Sequence, residues 1–254
     1  MTLLRHARTL LVAAGLLHAP AAMAAEEVAF PSLDWSFQGI FGTYDRANLQ
    51  RGFQVYKEVC SACHSMDFVA FRNLEDLGYS PEEVKAIAAE FTVTDGPDDN
   101  GDMFTRPGKP ADYFPSPFPN VQAAAAANGG AAPPDLSLVT KRHEAGANYP
   151  YAILTGYEEA PADFQVPSGK YYNHYFAGHA IGMAPPLFPD AVEYQDGTKA
   201  TVQQMAYDVS NFLMWTAEPH MEARKQTGIK AILFLLVFTA ILYAVKRKVW
   251  KDLH

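Results

Sequence analysis

Cys60 and Cys63 are the only cysteines in 254 residues, and they stand in the string Cys60-Ser61-Ala62-Cys63-His64. Two thiols one helical turn apart can be a redox pair, half of a metal site or a tether for a cofactor. A redox pair of the thioredoxin kind wants a βαβ context, which the pattern here lacks, and a zinc site would need a second ligand pair. The tether reading suits the spacing. Thiols at this separation reach the two vinyl groups on one edge of a porphyrin, and the adjacent His64 then offers an imidazole nitrogen to the iron. C-x-x-C-H is the attachment signature of a c-type haem, so one covalently bound haem c is expected. A multi-disulfide scaffold is excluded at the same time.

Both ends of the chain are specialised. Residues 1–24 read as an export signal: Arg5, His6 and Arg8 precede the apolar Leu10 to Leu17, and Ala22-Met23-Ala24 supplies small residues for cleavage. An uncleaved amphipathic helix is the alternative. Near the other end, Ala231 to Val245 carries no charge, and Gly228 and Ile229 extend it to roughly 18 residues, enough to span a bilayer. Lys246, Arg247, Lys248 and Lys251 follow, which puts the C-terminus in the cytoplasm. The expected division is a signal at 1–24, an extracytoplasmic haem domain at 25–223, and an anchor with a short tail at 224–254. In a bacterium this is a single-pass protein of the inner membrane with its haem domain in the periplasm.

The net charge of −8 argues against a nucleic-acid partner. It is also unevenly spread: residues 26–223 hold 11 Lys and Arg against 27 Asp and Glu, a net of −16. Acidic surfaces serve solubility, and a field of this sign also steers basic partners. Candidate docking acids are Glu82, Glu83, Asp95, Asp98, Asp99 and Asp102, with Glu158 and Glu159 ranked after them.

Helical patterns outnumber strand patterns in this domain. From Arg46 to Cys60, the residues Leu49, Phe53, Tyr56 and Cys60 share one face. Ser80-Pro81-Glu82-Glu83 is a capping box opening a helix to about Glu90, and Thr201 with Gln204 is another. On the helix that Thr201 opens, Val202, Met205, Ala206, Val209, Phe212 and Leu213 line one face. A short helix over Ala123 to Ala127 should stop at Asn128-Gly129. The domain is mostly α, with long Pro- and Gly-rich loops that need something to pack against.

A sixth iron ligand must come from further along: His143, His174, His179 or a methionine. Met183 leads, in Ala180-Ile181-Gly182-Met183-Ala184-Pro185-Pro186-Leu187. Gly182 permits close approach to a ring and the prolines fix the loop. Met66 lies too near His64, and Met205, Met214 and Met221 have core-like spacing. Buried propionates need donors; Arg142 and Tyr149 are candidates, with Pro134 beside them in the Pro133-Pro134-Asp135-Leu136-Ser137 loop. Arg142 is equally well read as a solvated surface charge.

These residues together resemble the cytochrome c1 family, the haem subunits of the ubiquinol–cytochrome c oxidoreductase (cytochrome bc1) complex. The resemblance runs through RGFQVYKEVCSACHSM at 51–66, YSPEEVKA at 79–86, GDMFTRPGKPADYFP at 101–115, ANGGAAPPDLS at 127–137, LTGY at 154–157, AIGMAPPL at 180–187 and the C-terminal anchor. It implies a cytochrome c-like haem domain with long ordered loops and one transmembrane helix, with the helix before Cys60 packed on the one from Thr201. It implies Cys60 and Cys63 as thioether sites, His64 and Met183 as axial ligands, and Arg142 near a propionate. The implied partners are cytochrome b and the Rieske iron–sulfur subunit, with a basic cytochrome c as acceptor. Function is then one-electron carriage within the reductase, with no bond-making catalysis on this chain. Some bacterial members of that family carry a further disulfide; here none can form, so the Met183 loop must be held by other means, such as Tyr and Pro packing. The alternatives are a free-standing tethered cytochrome c and, in another class, a haem sensor or peroxidase with an open sixth position.

Overall fold

Helix α1 (Arg46–Glu58) begins where Asp45 turns its carboxylate onto the amides of Ala47 and Asn48, at 2.9 and 3.2 Å, satisfying donors that a first turn leaves free. The computed structural model to which it belongs describes residues 28–251. The proposed export signal, 1–24, and residues 252–254 lie outside the described residues. Leu49, Phe53 and Tyr56 face inward and are buried. Cys60 departs from the expected helical face: α1 stops at Glu58, and Cys60–Ala62 forms a 3-10 turn. The amides of Cys63 and His64 both reach the Cys60 carbonyl, at 3.1 and 2.9 Å, which tightens the chain beyond an α-helix.

A second 3-10 segment, Phe71–Leu77, ends at Gly78. Helix α2 (Pro81–Ala89) carries the expected capping box with both arms made: Ser80 Oγ accepts from Glu83 N at 3.3 Å, and the Glu83 carboxylate accepts from Ser80 N at 2.7 Å. Strands β1 (Thr92–Asp95) and β2 (Phe104–Pro107) form an antiparallel hairpin in the register Val93 to Arg106. Helix α3 (Val121–Ala127) starts two residues earlier than the alanine run suggests, because Asn120 caps it through Ala123 N at 2.8 Å. Helices α4 (Val139–Arg142) and α5 (Asn148–Thr155) follow. Pro150 sits in the first turn of α5, where a missing N–H costs nothing. Strands β3 (Tyr171–Tyr172) and β4 (Ala180–Ile181) pair antiparallel. Helix α6 (Val202–Ala217) and the long α7 (Met221–Trp250) complete the order.

The core is the crossing of α1 on α6, as expected. A side chain at Gly52 would bring its Cβ to 2.1 Å from the Asp208 carbonyl oxygen and 2.7 Å from Phe212 Cβ, so glycine sets how close the helices come. Around the crossing, Phe53, Tyr56, Phe71, Phe114 and Phe212 form an edge-to-face and tilted cluster, with ring centroids 4.4–6.0 Å apart. At the same crossing, Arg51 grips the fully buried Asp208 with two bonds, Nε to Oδ2 at 2.9 Å and Nη2 to Oδ1 at 3.2 Å, and reaches Asp196 at 2.7 Å. Asp208 also corrects one expectation. Thr201 caps α6 through Gln204 N at 3.1 Å, but the Gln204 amide turns to Asp208 Oδ2 at 3.0 Å and makes no return bond to the cap. A buried carboxylate is the stronger acceptor.

Helix α7 is joined to the domain only at its root. Met221 is buried; Glu222 accepts from Tyr44 N at 2.6 Å and from Arg46 at 2.8 and 3.1 Å. In the linker before it, Glu218 pairs with Lys141 and Arg224. From Ala231 onward every described residue of α7 is exposed, and it is the one described helix long and apolar enough to cross a membrane.

Burial pushes Asp208 above the ordinary carboxylate range, with Arg51 pulling the other way. Arg51→Met therefore strands a buried charge and should cost about 3–5 kcal/mol in thermal or denaturant unfolding at pH 8. A group with a raised folded pKa favours the folded state below its unfolded pKa and loses that contribution as pH rises through the folded value. The variant should accordingly be less destabilised at pH 5 than at pH 8, and an equal loss at both would contradict this account of Asp208.

Candidate functional site

The site is built where α1 gives out. With Cys63 N and His64 N turned onto one carbonyl, Cys60 and Cys63 lie within a single turn. Both are free thiols rather than partners in a disulfide. Burial, reinforced by Cys63, pushes the Cys60 thiol up to about 12, which is the opposite of what a thiolate redox nucleophile requires. Among the described residues no three of His, Cys, Asp and Glu converge on a common centre, so the half-site reading of the thiols finds no other half.

His64 is held in one orientation. Its Nδ1 lies 2.8 Å from the carbonyl oxygen of Pro134. A carbonyl only accepts, so Nδ1 carries the proton and Nε2 keeps its lone pair. Burial lowers the His64 pKa, outweighing the Pro134 bond and nearby Asp135, and favours the neutral ring. The Pro134 carbonyl is in turn fixed by Asp135. One carboxylate oxygen of Asp135 accepts from Ser65 Oγ and Asp67 N, both at 2.8 Å, and the other from Ser137 N at 2.9 Å. Leu136 N donates to Ser65 O at 3.0 Å, and Phe68 N to Ser137 Oγ at 3.1 Å. Thr216 on α6 then donates to the Ser137 carbonyl at 3.2 Å. The segments 64–68 and 134–137 are thus one rigid unit, docked on α6. Sequence reasoning passed over Asp135; its signal was a carboxylate two positions before Ser137, the spacing of a side chain that bonds its own backbone.

Met183 stands two residues beyond β4, half-buried, and its carbonyl accepts from the Tyr157 hydroxyl at 3.0 Å. Tyr157 is itself bridged to Asn173. The Asn173 side chain is fully buried: Nδ2 donates to Ile153 O at 2.8 Å, and Oδ1 accepts from the amides of Tyr175 and Phe176 at 3.1 and 3.2 Å. Gly156 has no room for a side chain, because a Cβ there would meet Tyr175 Cδ2 at 2.5 Å. A hydroxyl and a buried amide thus hold this loop without a disulfide. Gly182 packs this loop beside two other segments, since a Cβ there would lie 3.5 Å from Ala131 Cβ and 3.1 Å from Lys170 Nζ. The Met183 loop therefore abuts the start of the segment that ends in Pro134 and Asp135.

The other candidates sort themselves by surroundings. Met66 and Met205 are fully buried and Met221 nearly so. The ring of His143 stacks on Tyr149 at 3.4 Å and 10°; burial lowers the first and raises the second. His174 faces Glu158 at 3.4 Å, and His179 stacks on Tyr172 at 5.6 Å. Arg142 is exposed at the end of α4, and among the described residues it has no ion pair, whereas neighbouring Lys141 is paired with Glu218. Of the acids, Glu83 is engaged by its capping box and Asp95 by Arg106, while Glu82, Asp98, Asp99 and Asp102 are exposed.

The chain matches the cytochrome C1 family over residues 35–253. It is 54% identical over 261 residues to a cytochrome c1 of Rhodospirillum rubrum, covering 95% of this chain and 96% of that one. It is 49% identical to a mitochondrial cytochrome c1 haem protein of Schizosaccharomyces pombe, covering 89% of this chain and 73% of that one. A protein of Bradyrhizobium diazoefficiens named cytochrome b/c1 is 52% identical over 88% of this chain, which spans only 36% of that longer relative. The C-x-x-C-H turn, the clamp on His64 and the tethered Met183 loop all fall inside the shared region, and the chain belongs to the cytochrome c1 family.

Proposed function

We propose that this chain takes single electrons from a Rieske iron–sulfur protein and passes them to a cytochrome c, through one haem c bound between His64 and Met183. Membership of the cytochrome c1 family supplies the coarser part of the reading, a haem c and a place as electron-transfer subunit of the respiratory bc1 complex. The name cytochrome b/c1 of the Bradyrhizobium relative agrees with cytochrome b as a partner.

The observation that carries the reading is the bond from His64 Nδ1 to the Pro134 carbonyl. It leaves Nε2 as the only nitrogen able to ligate, on a residue adjacent to two free thiols. The donor set fits the group: thiols for two thioethers, one neutral imidazole and one thioether sulfur. When bound, haem supplies one-electron carriage. His64 and Met183, both uncharged, would hold the iron from its two sides, and such a pair would raise the potential and favour electron transfer over oxygen chemistry. Pro134, Arg142 and Tyr149 complete the proposed contacts, with Arg142, which has no ion pair among the described residues, available to a propionate. In the same reading residues 1–24 are removed on export, 25–223 lie in the periplasm, and 224–254 cross the inner membrane of a bacterium with the tail inside. The acids Glu82, Asp98, Asp99 and Asp102 attract a basic cytochrome c, with Glu83 and Asp95 adding charge while tied to their own chain.

Purification in mild detergent should bring b-type haem and an iron–sulfur subunit with this chain, together with quinol-dependent reduction of cytochrome c. A lone c-type haem without quinol oxidation would contradict the reading. Met183→Leu should remove the methionine–iron charge-transfer band and lower the midpoint potential by on the order of 0.1–0.3 V, part of the ~0.8 V range that axial ligands span. An unchanged spectrum would eliminate Met183. Tyr157→Phe should leave the fold intact, costing about 0.5–1.5 kcal/mol, and make that band easier to displace with an added ligand such as imidazole. Reduction of a basic cytochrome c should slow about tenfold or more from low to high ionic strength, and Asp98→Asn with Asp99→Asn and Asp102→Asn should flatten that dependence.

A further inference from the structure

Ile40 and Phe41 are 67% and 78% exposed and form the tip of the turn Gly39–Gly42. The turn is closed by Gly42 N to Gly39 O at 3.4 Å and Thr43 N to Ser36 O at 3.1 Å. Both glycines are required by geometry. Gly39 has φ +71°, and a Cβ at Gly42 would lie 2.0 Å from the Gln38 carbonyl oxygen. The chain has thus built a tight, defined turn whose outcome is to display two large apolar side chains.

The turn is also fastened to the root of α7. Lys225 Nζ donates to the carbonyls of Phe37 and Gly42 at 2.6 and 3.1 Å. Immediately after the turn, Tyr44 N and Arg46 both bond Glu222. Lys225 precedes Ala231, the first residue of the uncharged run, by less than two helical turns, about 9 Å along the axis. That is close to the depth of the headgroup layer flanking the hydrocarbon core.

We infer that Gly39–Gly42 is a second membrane contact, with Ile40 and Phe41 entering the boundary between lipid headgroups and acyl chains beside α7. Apolar side chains left in water gain by entering that boundary, and continuity with the exposed apolar surface of α7 makes lipid the occupant. Between α6 and α7 runs only the linker Glu218–His220, and the bonds of Glu222 and Lys225 join the turn to the root of α7, so the turn and the helix meet the membrane as one unit. Contact at two points fixes the domain's height and tilt above the membrane. The inference rests on α7 as a bilayer span, and the experiment reads that separately.

The test is a nitroxide label on Ile40→Cys, with Phe41→Cys as a second site, in the native assembly placed in lipid nanodiscs with the haem reduced. Labelled parent assembly subtracts signal from other thiols. Power saturation compares access by oxygen, which concentrates in lipid, with access by a water-soluble nickel chelate. The oxygen-to-nickel ratio at the turn should exceed that of a label on Asp99→Cys several-fold, and a label on Leu236→Cys should show that α7 is in the bilayer. Nickel access at the turn equal to that at position 99, with position 236 in lipid, overturns the second contact and leaves the span. Low access to both probes means protein covers the turn and also overturns it. A water-like signal at both the turn and position 236 removes the span and the inference together.

Discussion

The imidazole of His64 owes its orientation to a carbonyl seventy residues further along the chain, and most of the site's geometry follows from keeping that carbonyl still. Asp135 does this with two bonds to the segment after the C-x-x-C-H turn and one to Ser137 N in its own loop, and Thr216 fastens the same loop to α6. Helix α6 is in turn set against α1 at Gly52, where any side chain would push the two helices apart. The turn that bears the cysteines is the continuation of α1. Thiols and imidazole are therefore positioned through one closed circuit: α1 to the turn, turn to the Pro134–Ser137 loop, loop to α6, and α6 back to α1. Arg51 and Asp208 stiffen its last link.

The Met183 side is built on a different plan. No helix carries the methionine; it follows a hairpin whose strands are two residues each, which would be pliable by itself. Its order comes from polar groups, the Tyr157 hydroxyl on the Met183 carbonyl and the fully buried Asn173 behind it. A buried side chain with every bond made specifies a single loop conformation, because each alternative strands a polar group. This division suits an electron carrier. Neither flank of the proposed iron site needs to move during turnover.

Much of this was legible in the sequence, and what was missed has a common physical character. Local patterns read directly: the cysteine turn, the inward face of α1, the Ser80–Glu83 capping box, the core face of α6 and the apolar span of α7. Partners far apart in sequence did not. Asp135 with Ser65 is separated by 70 positions, Arg51 with Asp208 by 157, and Tyr157 with Met183 by 26, and no periodicity announces such pairs. Long-range competition also overrode one local reading, when Gln204 left the cap of α6 for Asp208. Strands β1 to β4, two to four residues each, were too short to leave an alternating pattern. Gly52 stands on α1 with no local pattern to mark it, although it sets the distance between the two helices that form the core.

One iron held between His64 and Met183, and not by His143, His174 or His179 in the sixth position, is what the site's geometry has to deliver. Near-infrared magnetic circular dichroism of the oxidised, unmodified protein addresses this most directly, because the energy of the ligand-to-iron charge-transfer transition distinguishes the axial pairs. The account predicts the histidine–methionine signature over the whole sample. A bis-histidine signature would contradict it and return the tethered Met183 loop to a packing role.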